Sequence, residues 1–137
     1  MTALSITASA VVAGSNAVRD VGTAGATITA GQPLYYDSTT AKWNLADTNS
    51  ATAAARAASA IALNSASLNQ PVSLHKSGDL TMNAVLTAGV AYYLGGAAAG
   101  TIVPVGDLTT GDYTQVIGIA KSTTVLAVDF QSAGVAI

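Results

Sequence analysis

Near the start of the chain, apolar residues fall at alternate positions: Leu4, Ile6, Ala8 and Ala10 are separated by Ser and Thr. That period of two is the mark of an extended segment with one covered side. Val11 and Val12 follow and run into the breakers Gly14, Ser15 and Asn16, so residues 1–24 read as an extended N-terminal arm. Beyond Ile28, short runs of β-forming residues are divided by turn residues. They lie at Pro33–Tyr36, Trp43–Leu45, Ala60–Asn64, Val72–His75, Tyr92–Leu94, Thr101–Val105, Gln115–Lys121 and Val125–Phe130. This spacing predicts an all-β fold, a small barrel or sandwich, over residues 25–137. One stretch departs from it: the Ala-rich residues 50–58 predict a short connecting helix of about two turns, with Asp47, Asn49 or Ser50 as N-cap.

The apolar pattern repeats. Ile28-Thr29-Ala30-Gly31 returns as Leu86-Thr87-Ala88-Gly89, Leu34-Tyr35 as Tyr92-Tyr93, and Ala60-Ile61-Ala62 as Gly118-Ile119-Ala120, all at a shift of 58 residues. In the same register Leu45 falls on Val103, and Val72-Ser73-Leu74 resembles Leu126-Ala127-Val128 if the second hairpin is four residues shorter. The prediction is a twofold internal repeat, with units at about 28–78 and 86–134. Gly31 and Gly89 suit turns needing positive φ, and the small residues around Ile119 let another backbone or sheet approach closely.

Composition narrows the class. Half of the 137 residues are hydrophobic, but only 9% are charged and 5% aromatic, and every acid is Asp. Without Glu, a solvated helical bundle is disfavoured. Five Lys and Arg are scattered along the chain and the net charge is −2, so neither nucleic acid nor an anionic membrane is an expected partner. The absence of Cys excludes disulfides, thiolate nucleophiles and Cys-zinc sites. No apolar run approaches the length of a spanning helix, and the start lacks the positive region of a secretory signal.

Candidate chemistry is sparse. His75, the one histidine, is expected to point outward from a strand, and no G-x-S-x-G motif accompanies it. A hydrolase using His75 and an Asp is a weaker reading than a surface or interface histidine. The pairs Asp37/Asp47 and Asp107/Asp112 have neighbours that suit turn hydrogen bonding better than calcium or acid–base work. Gly95, Gly96 and Gly100 lack the Lys-Ser/Thr of a phosphate loop. Trp43 suits a small core, or an interface if exposed. The expectation is no enzyme, no cofactor and no metal.

Several segments together resemble a family of small tailed-phage structural proteins, the capsid decoration or cement proteins. They are Ile28–Ser38, Leu45–Ser50, Ala60–Asn64, Gln70–Val72 with Ser77-Gly78, Gly89–Leu94, Gly100–Ile102, Asp107–Tyr113, Val116–Ser122 and Ser132–Gly134. The resemblance implies a β-structured, usually oligomeric virion component on the outer capsid surface, whose partner is the major capsid protein of the same phage. It brings no catalytic motif. A homo-oligomer, as a trimer, fits the shortage of edge-protecting charge. Leu4, Ile6, Val11 and Val12 are the candidate oligomer or capsid interface, with the arm ordered by a neighbour. The alternative is a receptor-binding or fibre-tip module of the tail, using exposed Trp43 and tyrosines.

Overall fold

The computed structural model describes residues 3–137; Met1 and Thr2 of the arm lie outside the described residues. All of the predicted strands form, and two more come from the arm. In chain order they are β1 (Val12–Ala13), β2 (Val18–Thr23), β3 (Pro33–Asp37), β4 (Lys42–Leu45), β5 (Ala60–Ala62), β6 (Pro71–Thr81), β7 (Ala91–Leu94), β8 (Ile102–Pro104), β9 (Tyr113–Ala120) and β10 (Val125–Ala136). Every strand pair is antiparallel, and the order β4-β3-β5-β6-β10-β9-β7-β8 reads as two four-strand units joined by β6 and β10. The result is a curled, half-barrel sheet, an all-β fold.

The repeat extends to individual hydrogen bonds. Gly31 donates to Ala62 O at 2.8 Å and Gly89 to Ala120 O at 2.8 Å; Ala62 donates to Gln32 O and Ala120 to Val90 O. Pro33 faces Ile61 and Leu34 faces Ala60, as Ala91 faces Ile119 and Tyr92 faces Gly118. Both turn glycines have positive φ, +94° and +82°, where a side chain would be strained. Two details of the sequence register change. Leu45 faces Leu34 while Pro104, not Val103, faces Tyr92, so the second β-hairpin is one residue longer. Ala62 faces Leu74 and Ala120 faces Leu126, so the last hairpin is six residues shorter, not four.

Residues 50–58 hold only a single 3₁₀ turn, Ala53–Arg56, whose N-cap Thr52 makes no side-chain capping bond. Asp47 accepts from the Asn49 N–H and Ser50 from the Thr52 N–H, so these side chains are spent on turns before a helix can start. So short a segment closes too few bonds to offset helix nucleation.

Two cores result. The smaller gathers Ile28, Leu34, Trp43, Ala60, Ala62, Val72 and Leu74 from the first unit. The larger holds the corresponding Leu86, Tyr92, Ala120 and Leu126 of the second unit. It also takes Ile61, from the opposite face of β5, together with Leu80 and Val11. The second unit therefore packs its inner face against the back of the first.

Candidate interaction surface

The arm lies along its own domain. Leu4 donates to Ile102 O at 2.9 Å, and Asn83 fastens the segment through the Thr7 N–H and the Ser5 carbonyl. Leu4, Ile6 and Ala8 are half-buried against the larger core. The alternation at residues 4–10 is thus real as side-chain direction, but this stretch forms no strand; residues 8–10 make a 3₁₀ turn instead. Of the four proposed interface residues, Leu4, Ile6 and Val11 face this chain's core, and Val12 stands outward. The arm then crosses β6 at Gly78 (φ +90°), where a Cβ would sit 2.5 Å from Asn16 O. On the far side β2 pairs along β6, Arg19 facing His75 and Thr23 facing Pro71. Within this chain, β6 thus pairs with the second half of the arm.

His75 is not a surface residue: it is 0% exposed, because both edges and both faces of this part of β6 are covered. One ring nitrogen, Nε2, lies 2.9 Å from Gly78 O, and Nδ1 has no partner. Burial lowers its pKa, outweighing the Gly78 carbonyl and Asp79, which raise it, and Arg19 adds the weakest effect, a lowering one. Among the described residues no Asp carboxylate is hydrogen-bonded to this ring. Asp37 accepts from Thr39 N–H, and Asp112 from the backbone and hydroxyl of Thr109, so these carboxylates close turns. Among the described residues no group of three or more His, Cys, Asp or Glu is placed to hold a metal. No helix there is long and apolar enough to cross a membrane. Trp43 is buried in the smaller core, its ring 5.4 Å from that of Tyr36 and tilted by 59°.

The small residues around Ile119 left room for an approaching backbone or sheet, but the sequence did not show that this side of the second unit is open. Ile119, the counterpart of buried Ile61, is 54% exposed. It lines a groove of about 330 Å³ with Ala91, Val116, Gly118, Ala127, Asp129 and Gln131. The signal was available: an isoleucine repeated between small residues in both units. Beside the groove, residues 129–136 of β10 pair with β9 on one side, whereas β6 pairs with β10 only as far as Val128.

No protein-family model, curated protein or solved structure matches this chain.

Proposed function

We propose that the protein is a virion structural component that decorates and reinforces the outer surface of a phage capsid by repeated protein–protein contacts. The observation that carries the reading is where the resembling segments fall. Ile28–Ser38, Ala60–Asn64, Gly89–Leu94 and Val116–Ser122 contain the residues that form the repeated ladder, so the resemblance runs through the architecture. The physical character agrees with a lattice-binding role. A chain with 9% charged residues and many short side chains loses little side-chain entropy on packing. Many copies on one lattice turn modest contacts into avidity.

The partner is the major capsid protein, and the decorating species is a homo-oligomer, as a trimer. The fibre-tip reading drew on exposed Trp43 and tyrosines; Trp43 is a core residue here, which leaves it Tyr36 as an exposed ring. The test is electron microscopy of particles with and without the purified protein, combined with copy number. Hundreds of copies on the capsid exterior, and particles that withstand heating better with the protein bound, are the expected result. A few copies confined to the tail would overturn it in favour of the recognition module.

A further inference from the structure

Each unit of this chain has a β-strand whose continuation along the neighbouring long strand is solved differently. On β6, residues 71–77 receive β2 along the edge that β10 leaves free. On β10, residues beyond Val128 receive no strand among the described residues on the side that faced β6; their other side is held by β9 and, at Ile137, by Gly111 and Asp112. An edge of this length is a template for strand addition. Its protection is slight: Asp129 and two register shifts, between Val128 and Gln131 and between Ser132 and Ala136, interrupt it, but residues 130–137 contain no Lys, Arg, Asp or Pro, and Val135 and Ile137 are exposed.

The same chain carries a complementary edge. Among the described residues β2 ladders only with β6, the chain turning to β4 just beyond it, where Ala24 bridges Trp43, and its Val21 N–H bonds at 2.8 Å to the carboxylate of the adjacent Asp20 instead of to a strand. Val18 and Val21 are large apolar side chains left exposed, Val21 by 67%. Arg19 on β2 has no ion pair among the described residues, and Asp129 opens the free part of β10 with only Gln131 beside it. An apolar groove flanks the β10 edge at the outer face around Ile119. Its counterpart in the first unit, at Ile61, is covered by apolar side chains of this same sequence.

We propose that the occupant is a second copy of this chain: β2 of one copy adds to residues 129–136 of β10 in the next, its valines lying over the Ile119 groove and Arg19 meeting Asp129. The contact is head-to-tail, because each copy offers one β2 edge and one β10 edge, and such contacts close into a ring when the rotation permits. The interface lies at the C-terminal strand and the outward side of β2, not at Leu4, Ile6 or Val11. It stands independently of the capsid reading, since it concerns the free protein.

The test uses the full chain and two charge variants at exposed positions, Val21→Lys and Ile119→Lys, with mass measured by sedimentation from nanomolar to micromolar concentration. The wild type is expected to assemble, and each variant alone to associate at least tenfold more weakly, with a urea midpoint unchanged from the wild type's when both are measured below the concentration of assembly. Mixed together, the two variants are expected to form a stable one-to-one dimer, because one supplies an intact β2 and the other an intact β10 groove. A wild type that stays monomeric at micromolar concentration would overturn the proposal. So would assembly unaffected by both substitutions. Loss with Ile119→Lys but not with Val21→Lys, and no rescue on mixing, would show a symmetric β10–β10 contact and equally defeat it.

Discussion

Ile61 and Ile119 occupy the same place in the two units, one facing Pro33 and the other Ala91, yet one is 0% and the other 54% exposed. The ladders around them match residue for residue. What differs is the surroundings: the second unit packs on the back of the first, and among the described residues nothing covers Ile119 on the back of the second. A repeat therefore gives an internal control, in which one sequence pattern is seen in two environments. Backbone pairing follows the pattern; burial follows the neighbour. The same contrast holds at the arm, which runs past Gly31 and leaves Gly89 open.

The sharpest way to break this comparison is to truncate both isoleucines. Ile61→Ala should cost about 2–5 kcal/mol, the range for emptying a packed core position. Ile119→Ala should stay within about 0.5 kcal/mol in the monomer, as exposed substitutions do. Urea unfolding of the two variants below the concentration of any assembly reads the difference directly. Equal losses would mean that the back of the second unit is packed in solution, and the distinction between the units would fall.

A smaller effect separates the turn glycines. Gly89→Ala adds a Cβ with nothing within 4 Å, so it should cost only the left-handed backbone penalty, about 1–2 kcal/mol. Gly31→Ala carries a similar penalty and also sets its Cβ 2.7 Å from Ile6 Cγ2 and 3.3 Å from Val11 Cγ2. Displacing the arm should add about 1–3 kcal/mol, as overpacking does. Removing residues 1–10 should bring the two variants together. If thermal melts show the same gap with and without those residues, the arm is not what distinguishes the turns.

These contrasts also mark how far the sequence was readable. The strands β3, β7 and β9 were legible because tyrosines and branched residues alternate with small ones and are bounded by turn residues. So was Trp43 as a core plug, since a lone large ring among Ala and Gly fills the space they leave. β2 was not legible: Arg19 and Asp20 sit at its centre, it is largely exposed, and its pairing comes from β6, far along the chain. The arm's alternation predicted which side chains face inward but not the absence of a ladder, which depends on available backbone partners. His75 was misplaced for a related reason. Alternation marks one face of β6 as inner, and only the tertiary arrangement shows that the other face is covered as well. The exposed groove at Ile119 was hidden by the same limit in reverse, since a sequence cannot state which of two equal isoleucines lacks a neighbour.

His75 supplies the gentlest test, because its counterpart facing Ile119 is Ala127. The ring is buried with Nε2 placed to donate to the Gly78 carbonyl, which leaves Nδ1 as an unfilled acceptor. A proton on Nδ1 would bring a charge and a second donor into a site that offers no acceptor for it, and burial accordingly holds the pKa below the ordinary value. The groups facing the ring are Arg19 across the ladder, which opposes the charge, and Asp79 along β6, which favours it less than burial disfavours it. The unfolded chain thus binds this proton more readily than the folded one. Stability from His75 is complete above the unfolded value near 6.5, and it declines as the pH falls from there through the lower folded value. Since the chain has one histidine and no other side chain that ordinarily titrates there, urea midpoints measured from pH 7.5 to 5 isolate this group. The wild type should lose stability across that range, and His75→Ala, which copies the second unit, should lose stability overall but show a flat profile. A wild-type profile as flat as that of the variant would mean that the imidazole meets water or a proton acceptor in solution. The first unit's β6 would then be less tightly covered by β2 than its ladder implies.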